Sequence, residues 1–236
     1  MNTTLNSQAV IFETIRPARN TPPNSAPNFD SLARIYRWME LVTFGPFLAR
    51  CRTAFLPNMA QARRALVIGD GDGRFTAELL GANSQIQVDT VDASPEMLAA
   101  LLRRTGPNAR RVSLHCADAR SWKTGNAQYD LVATHFFLDC LTTDECRALA
   151  VRLRNSLSPA ALWIVSEFAI PEGWFGKLVA RPLVWLLYRA FGLLTGLRIR
   201  SLPDHHAALR NSGIILTQRR TRLGGLLVSE AWRPEA

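Results

Sequence analysis

Residues 61–236 show two periodic patterns of apolar and polar positions, and the two patterns alternate along the chain. Short apolar or strictly alternating runs, typical of β-strands, lie around Ile68, Val91, Leu114, Val132 and Ile164. Between them, apolar residues recur every three or four positions, which is typical of amphipathic helices. Strands that alternate with helices form parallel sheets with right-handed crossovers. We therefore predict an α/β fold with a doubly wound, mostly parallel sheet, closed by two further strands at residues 214–217 and 225–232.

The N-terminal part of the chain lacks this alternation. Residues 1–28 are rich in turn-forming residues and poor in side chains that pack, so we predict a flexible tail there. Helical spacing from Leu32 to Met39, followed by the apolar segment Phe47 to Phe55, predicts a helical cap over residues 29–60. Residues 61–236 then form the main domain, a Rossmann-like sheet of about seven strands.

An unusually apolar segment, Trp174–Leu194, separates the fifth strand from the last two. One narrow stripe of the predicted helix carries Lys177, Arg181 and Tyr188, and Pro182 is expected to kink or restart the helix. The segment fits a helix buried between the sheet and the cap. It also fits a lid for a lipophilic substrate that contacts a membrane surface. We treat residues 173–212 as a lid-like helical insertion.

Composition limits the possible partners. The chain has 236 residues and a net charge of +9, which favours nucleic acid or an anionic membrane. Its arginines are dispersed and lack the interleaved aromatic residues of a nucleic-acid groove, so we expect no nucleic-acid partner. The four cysteines have neither CxxC spacing nor a matching histidine pattern, so we expect reduced thiols and no metal site. No signal peptide is recognisable, so we expect a cytoplasmic location.

Three acidic positions follow successive strands, where open parallel sheets bind ligands. The turn Gly69-Asp70-Gly71-Asp72-Gly73 ends the first strand and leads into a helix, which lets a ligand approach the backbone closely. Asp92 ends the second strand, about twenty residues later, where an acid accepts hydrogen bonds from ribose hydroxyls. Asp118 ends the third strand, in a position to bind an adenine amino group. Together the three predict a nucleoside-binding site.

These residues resemble the cofactor motifs of class I S-adenosylmethionine-dependent methyltransferases. Residues 91–98 are similar to the second motif of that family, and residues 117–119 to the third. Residues 29–36 and 166–171 resemble the branch that methylates quinones. The resemblance implies S-adenosylmethionine as cofactor and a small apolar or aromatic acceptor. It assigns the following residues to the cofactor: Tyr36, Gly69, Asp70, Gly71, Asp72, Gly73, Asp92, Ala93, Met97, Asp118, Ala119 and His135.

One position departs from the family pattern. Val67 stands where family members carry the acid that helps hold the methionine ammonium group. Asp70, Asp72 or a bridging water can replace that acid. Two alternative functions therefore stay open: a cofactor-binding module without catalysis, and, since the Gly-Asp-Gly turn also resembles theirs, a polyamine aminopropyltransferase.

Methyl transfer to an oxygen also requires a group that accepts a proton. His135 and Asp139 follow the fourth strand and are the candidate catalytic bases, with Glu167 behind them. We expect His135 to be the better base, because an unperturbed imidazole has a pKa near 6.5. Each residue also has a structural interpretation, His135 as a wall of the cofactor pocket and Asp139 as a helix cap.

Overall fold

The computed structural model describes residues 45–195 and 202–235. Its strands are β1 (Arg64–Ile68), β2 (Gln87–Asp92), β3 (Val112–Cys116), β4 (Tyr129–His135), β5 (Leu157–Phe168), β6 (Ile214–Arg222) and β7 (Leu227–Pro234). Its helices are α1 (Gly45–Arg52), α2 (Arg74–Ala82), α3 (Pro95–Thr105), α4 (Thr143–Arg154), α5 (Gly173–Phe175), α6 (Arg181–Thr195) and α7 (His205–Arg210). A π-helical turn, Gly176–Ala180, joins α5 to α6.

The strands form one sheet in the order β3-β2-β1-β4-β5-β7-β6. All pairs from β3 to β5 are parallel, and β7 pairs antiparallel with both β5 and β6. The predicted α/β fold with a mostly parallel, doubly wound sheet is therefore confirmed. The order reverses between β1 and β4, which places a crevice at the carboxyl ends of these strands.

Apolar side chains cover both faces of the sheet. One face packs on α4 and α7 through Leu66, Val132, Trp163 and Trp232. The other packs on α2 through Val67, Phe75 and Ile164. A two-sided core explains why β1 and β4 read as continuous apolar runs, as buried parallel strands do.

Several boundaries differ from the sequence-based prediction. The sequence pattern predicts a helix from Thr143 to Leu157, but α4 ends at Arg154, and Leu157 already belongs to β5, where it pairs with Tyr129. Strand β6 continues to Arg222 although its last residues are polar, because its backbone pairs with β7. Helix α7 begins at His205, where the Asp204 carboxylate accepts a hydrogen bond from the Ala207 N–H. The predicted tail 1–28, the first cap helix with Tyr36, and residues 196–201 lie outside the described residues.

Candidate active site

The glycine turn connects β1 to α2, and its three glycines have positive φ angles of 68°, 61° and 80°. A Cβ on Gly69 would overlap the Phe137 ring, and one on Gly73 would lie 2.8 Å from the Leu101 Cα. These two positions therefore require glycine for packing. At Gly71 the nearest atom to a Cβ is the Met97 Sδ, 3.7 Å away. The turn thus leaves open backbone at Gly71, which is the space that a nucleoside cofactor needs.

Asp92 lies directly against this turn. Its Oδ2 accepts a hydrogen bond from the Gly71 N–H (3.3 Å), and its Oδ1 accepts one from the Ser94 N–H (3.0 Å). Burial raises the pKa of Asp92, and these backbone hydrogen bonds partly oppose that rise. Ser94 in turn caps α3 by accepting a hydrogen bond from the Met97 N–H (3.2 Å). The structure therefore brings the predicted ribose ligand, the open glycine and the segment 92–97 together.

The two other acids of the turn are held by the protein itself. The Asp70 carboxylate accepts hydrogen bonds from the N–H groups of Phe75 (3.2 Å) and Thr76 (2.8 Å), in the first turn of α2. Burial raises its pKa to about 6. Asp72 forms ion pairs with Arg104 (2.7 Å) and Arg74 (3.3 Å). Both acids thus stabilise the turn and the start of α2.

Val67 is buried in β1, where its side chain packs in the core below α2. It offers no polar group to a methionine ammonium group. Since Asp70 and Asp72 already have partners, replacement of the family acid by either of them stays a prediction.

Asp118 follows β3 and carries an ion pair of its own. The Nε and Nη2 atoms of Arg120 lie 2.9 Å and 2.7 Å from its Oδ2. Although burial raises the pKa of Asp118, the hydrogen bonds and charge of Arg120 hold it below its ordinary value. Ala119 is buried beside it. An adenine amino group at this position must share Asp118 with Arg120 or displace the guanidinium.

His135 is the last residue of β4, and its ring is buried. The Nδ1 atom lies 2.9 Å from Ser166 Oγ, and Ser166 donates its hydroxyl proton to the Cys51 carbonyl (3.2 Å). With that proton committed, Nδ1 carries the imidazole hydrogen and Nε2 keeps a lone pair. Nε2 is buried and has no hydrogen-bond partner among the described residues.

Burial and the positive charge of Arg52 lower the pKa of His135 to about 3. This value departs from the unperturbed one on which the preference for His135 rests. The imidazole is neutral at physiological pH, but its basicity is low. Arg52, from α1, is itself buried and lies over the Phe136 ring, 5.3 Å from its centroid. The sequence pattern placed it only in the cap and gave no sign of this contact.

Glu167 and Asp139 form a second group at the ends of β4 and β5. Glu167 is fully buried, and its Oε1 accepts hydrogen bonds from the N–H groups of Phe137 (3.1 Å) and Leu138 (2.8 Å). Burial and the nearby charge of Asp139 raise its pKa well above the ordinary range. Oε1 is occupied as an acceptor, so an added proton on Glu167 belongs on Oε2.

A pocket of about 170 Å³ opens beside this pair. Apolar residues at the end of β5, just before α7 and in β7 form part of its wall. Its polar lining comes from Asp139, Glu167, Asp204, His205, His206 and Arg219. Only Asp139 and Glu167 are functional candidates from the sequence pattern. The others come from α7 and β6, which reach the pocket only through the antiparallel end of the sheet.

The apolar segment after β5 lies at the surface. Trp174, Leu178, Trp185 and Leu186 are exposed by 58–73%. The opposite side packs through Ala180, Val184 and Leu226. The segment is therefore neither fully buried nor an ordinary polar surface helix. Within the described residues, no helix combines the length and apolar character needed to span a membrane.

Comparison with known proteins relates this geometry to one class. Residues 65–160 match the sequence model of a family described as Methyltransferase domain. The matched range contains the glycine turn, Asp92, Asp118, His135 and Asp139. A comparison with curated proteins finds no match.

Three solved structures have the same fold. The mitomycin 7-O-methyltransferase MmcR is 20% identical with a TM-score of 0.67, and the match covers 87% of this chain and 58% of that one. The S-adenosylmethionine-dependent methyltransferase SibL is 18% identical with a TM-score of 0.65 over 91% and 64% of the two chains. Human N-acetylserotonin methyltransferase, solved with S-adenosylmethionine, is 15% identical with a TM-score of 0.61 over 87% and 55%. The present chain thus spans about three fifths of the length of these structures.

The open backbone at Gly71 and the carboxylate of Asp92 fit the cofactor of this class. The described part of the chain has the class I S-adenosylmethionine-dependent methyltransferase fold, and residues 65–160 match the methyltransferase-domain model.

Proposed function

We propose that the protein transfers a methyl group from S-adenosylmethionine to an oxygen of a small, apolar or aromatic acceptor, of a quinone-like or lipid-like kind. The observation that supports an apolar or aromatic acceptor is the pair of phenylalanines at the ends of β4 and β5. Phe136 and Phe168 follow His135 and Glu167, and their ring centroids are 5.4 Å apart. Aromatic rings next to a neutral imidazole and a buried carboxyl with a raised pKa suit an uncharged ring or chain that carries one oxygen.

S-adenosylmethionine, when bound, supplies a methyl group on a sulfonium. The protein's contribution is to bind, to align and to exclude water. Asp92 and the glycine turn hold the nucleoside part, and the rings of Phe136 and Phe137 exclude water on the acceptor side. Phe136 has a positive φ of 54°, a strained conformation for a non-glycine residue that sets the direction of the chain at the end of β4.

Asp139 is the base that we propose for an acceptor hydroxyl, ahead of His135. Asp139 is partly exposed and lines the pocket, whereas the His135 ring is buried and has a pKa of about 3. Bound S-adenosylmethionine would supply the methyl group and leave as S-adenosylhomocysteine, while Asp139 would accept the hydroxyl proton of the acceptor. His135 Nε2 remains available to accept a hydrogen bond that orients the acceptor.

A lipid-like acceptor would also explain why the apolar segment 174–194 is exposed. Trp174, Leu178 and Trp185 follow one another at helical spacing, and Lys177, Arg181 and Arg189 are exposed on the same segment. Interfacial helices combine aromatic and aliphatic residues with cations in this way. We propose that residues 174–194 contact an anionic membrane surface from which the acceptor enters. A cytoplasmic location is part of the same proposal.

The experiment is to incubate the protein with S-adenosylmethionine and a panel of phenols, hydroquinones and lipid-like alcohols. S-adenosylhomocysteine formation and the mass increase of the acceptor are both measured. Acceptor-dependent turnover supports the proposal. Cofactor binding without turnover on any acceptor would favour the non-catalytic binding module, which the buried Val67 keeps open.

A further inference from the structure

A cluster of two imidazoles and one carboxylate lies next to the pocket, outside the residues that hold the cofactor. The Nε2 atom of His205 is 3.1 Å from Glu230 Oε2, and the Nε2 atom of His206 is 2.8 Å from Glu230 Oε1. The three ligand atoms lie within 4.8 Å of one another. Within residues 45–195 and 202–235 this is the only group of three histidine, cysteine or acidic side chains with such a geometry.

We propose that His205, His206 and Glu230 form a binding site for a late first-row divalent cation, with Zn²⁺ as its typical ligand. Two histidines and one glutamate are a common donor set of open zinc sites, in which a fourth position takes water or substrate. Zinc bonds of about 2.0–2.1 Å place neighbouring ligand atoms about 3.3 Å apart in a tetrahedron. The observed separations of 3.1 and 2.8 Å are close to that spacing.

The three ligands are held in place by the fold. Glu230 lies in the middle of β7 and is fully buried, and its Oε2 accepts a hydrogen bond from Trp232 Nε1 (3.2 Å). His205 and His206 open α7, whose start is fixed to α4 by the hydrogen bond from the Asp204 N–H to Thr143 Oγ1 (3.0 Å). Partners of this kind orient metal ligands and increase affinity. The histidine side chains are 12% and 28% exposed, so the cation has a route from solvent.

A second observation comes from the pocket itself. His205 and His206 line it, and so does Glu167, whose buried Oε2 has no hydrogen-bond partner among the described residues. A buried polar atom without a partner marks a place for a ligand or water. An oxygen ligand in this pocket can complete the coordination of the metal and contact Glu167. The inference concerns a metal site and does not depend on the proposed acceptor.

The guanidinium group of Arg219 already contacts the cluster. Arg219 Nε lies 3.4 Å from Glu230 Oε1. Because the Arg219 side chain is 45% exposed, it can turn into solvent when a divalent cation binds, whereas Glu230 cannot move away. Without metal, the histidine protons and Arg219 neutralise the buried carboxylate. Metal binding replaces the two Nε2 hydrogens in these contacts.

The test uses the full chain, prepared without a polyhistidine tag and treated with a chelator. Zn²⁺ is titrated by calorimetry, and Co²⁺ by its visible absorption, at neutral pH. We expect one ion per chain, a rise in melting temperature with Zn²⁺, and at least about a tenfold loss of affinity in both His205→Gln and His206→Gln. His115→Gln is the matched control, because His115 also pairs with a carboxylate, Asp89 at 3.2 Å, but belongs to no group of three potential metal ligands within the described residues.

Absence of saturable binding by the wild type would overturn the proposal. So would equal affinities in His206→Gln and His115→Gln, or a Co²⁺ spectrum with thiolate charge-transfer bands, which would place the ion at cysteines. Circular dichroism of each variant separates loss of the site from loss of the fold. Failure here leaves the proposed methyl transfer untouched, since S-adenosylhomocysteine formation is measured separately.

Discussion

The Gly71 N–H donates a hydrogen bond to Asp92 Oδ2 over 3.3 Å, and this contact joins the first two strand ends of the cofactor site. The residues are 21 positions apart in sequence. The Asp92 carboxylate accepts one backbone N–H on each oxygen, from Gly71 and from Ser94, and each oxygen keeps a lone pair that can accept a ribose hydroxyl. The bond therefore positions Asp92 before the cofactor arrives, which lowers the cost of ordering on binding.

Replacing Asp92 should weaken cofactor binding without unfolding the domain. Hydrogen bonds to a charged group contribute about 1.5–3 kcal/mol, so Asp92→Ala is expected to lower the affinity for S-adenosylmethionine at least about tenfold. Titration calorimetry measures the effect. Glu96→Ala removes an exposed carboxylate four positions further along and should bind normally. Unchanged affinity in Asp92→Ala, with intact circular dichroism, would remove Asp92 from the site.

Asp70 should make stability depend on pH in an unusual direction. Its pKa is about 6 in the folded protein, whereas an unperturbed aspartate side chain has a pKa of 3.8, so the folded state binds the proton more tightly. The stabilising contribution is complete below about pH 4 and is lost as the pH rises to 6, by at most about 3 kcal/mol. Urea unfolding at pH 4 and pH 7 should therefore show a smaller loss of stability for Asp70→Asn than for wild type. The control is Asp144→Asn, which removes an exposed carboxylate and should keep the wild-type dependence of stability on pH. The same dependence in Asp70→Asn as in wild type would contradict this assignment.

The two candidate bases differ in their expected kinetics. Asp139→Asn is expected to lower kcat by about a hundredfold or more, whereas His135→Gln should mainly raise KM for the acceptor. Since the pKa of His135 is about 3, no rise in rate through pH 6–7 should come from its titration. The measurement is kcat and KM over pH 5–9 for both variants with an acceptor that supports turnover. A hundredfold loss of kcat in His135→Gln alone would return the role of base to His135.

Membrane contact should depend on the two exposed tryptophans. Trp174 and Trp185 are 72% and 58% exposed, so Trp174→Ser combined with Trp185→Ser should abolish flotation with anionic vesicles while leaving the core intact. Added salt should weaken binding of the wild type, because Lys177, Arg181 and Arg189 contribute. Val151→Ser, on the exposed side of α4, is the matched control. If wild-type protein floats with neither anionic nor neutral vesicles, the proposed membrane contact is wrong.

The sequence by itself determined the parallel half of the molecule. Apolar runs, a glycine turn and acids at successive strand ends are local signals, and a parallel sheet brings all strand ends to one edge. Gly71 and Asp92 could therefore be placed side by side from their positions in the pattern alone. The turn glycines at Gly69 and Gly73 were predictable as a turn, but their packing against Phe137 and Leu101 was not.

Only the tertiary structure decided the pKa values of the buried groups and the cluster of His205, His206 and Glu230. The low pKa of His135 and the raised pKa of Glu167 follow mainly from burial by residues far away in sequence, and the charge of Arg52 lowers the pKa of His135 further. Likewise, His205 and His206 meet Glu230 only because α7 packs on α4 and β7 runs antiparallel to β5. Desolvation and long-range contacts of this kind depend on the assembled fold, so no local pattern in the sequence encodes them.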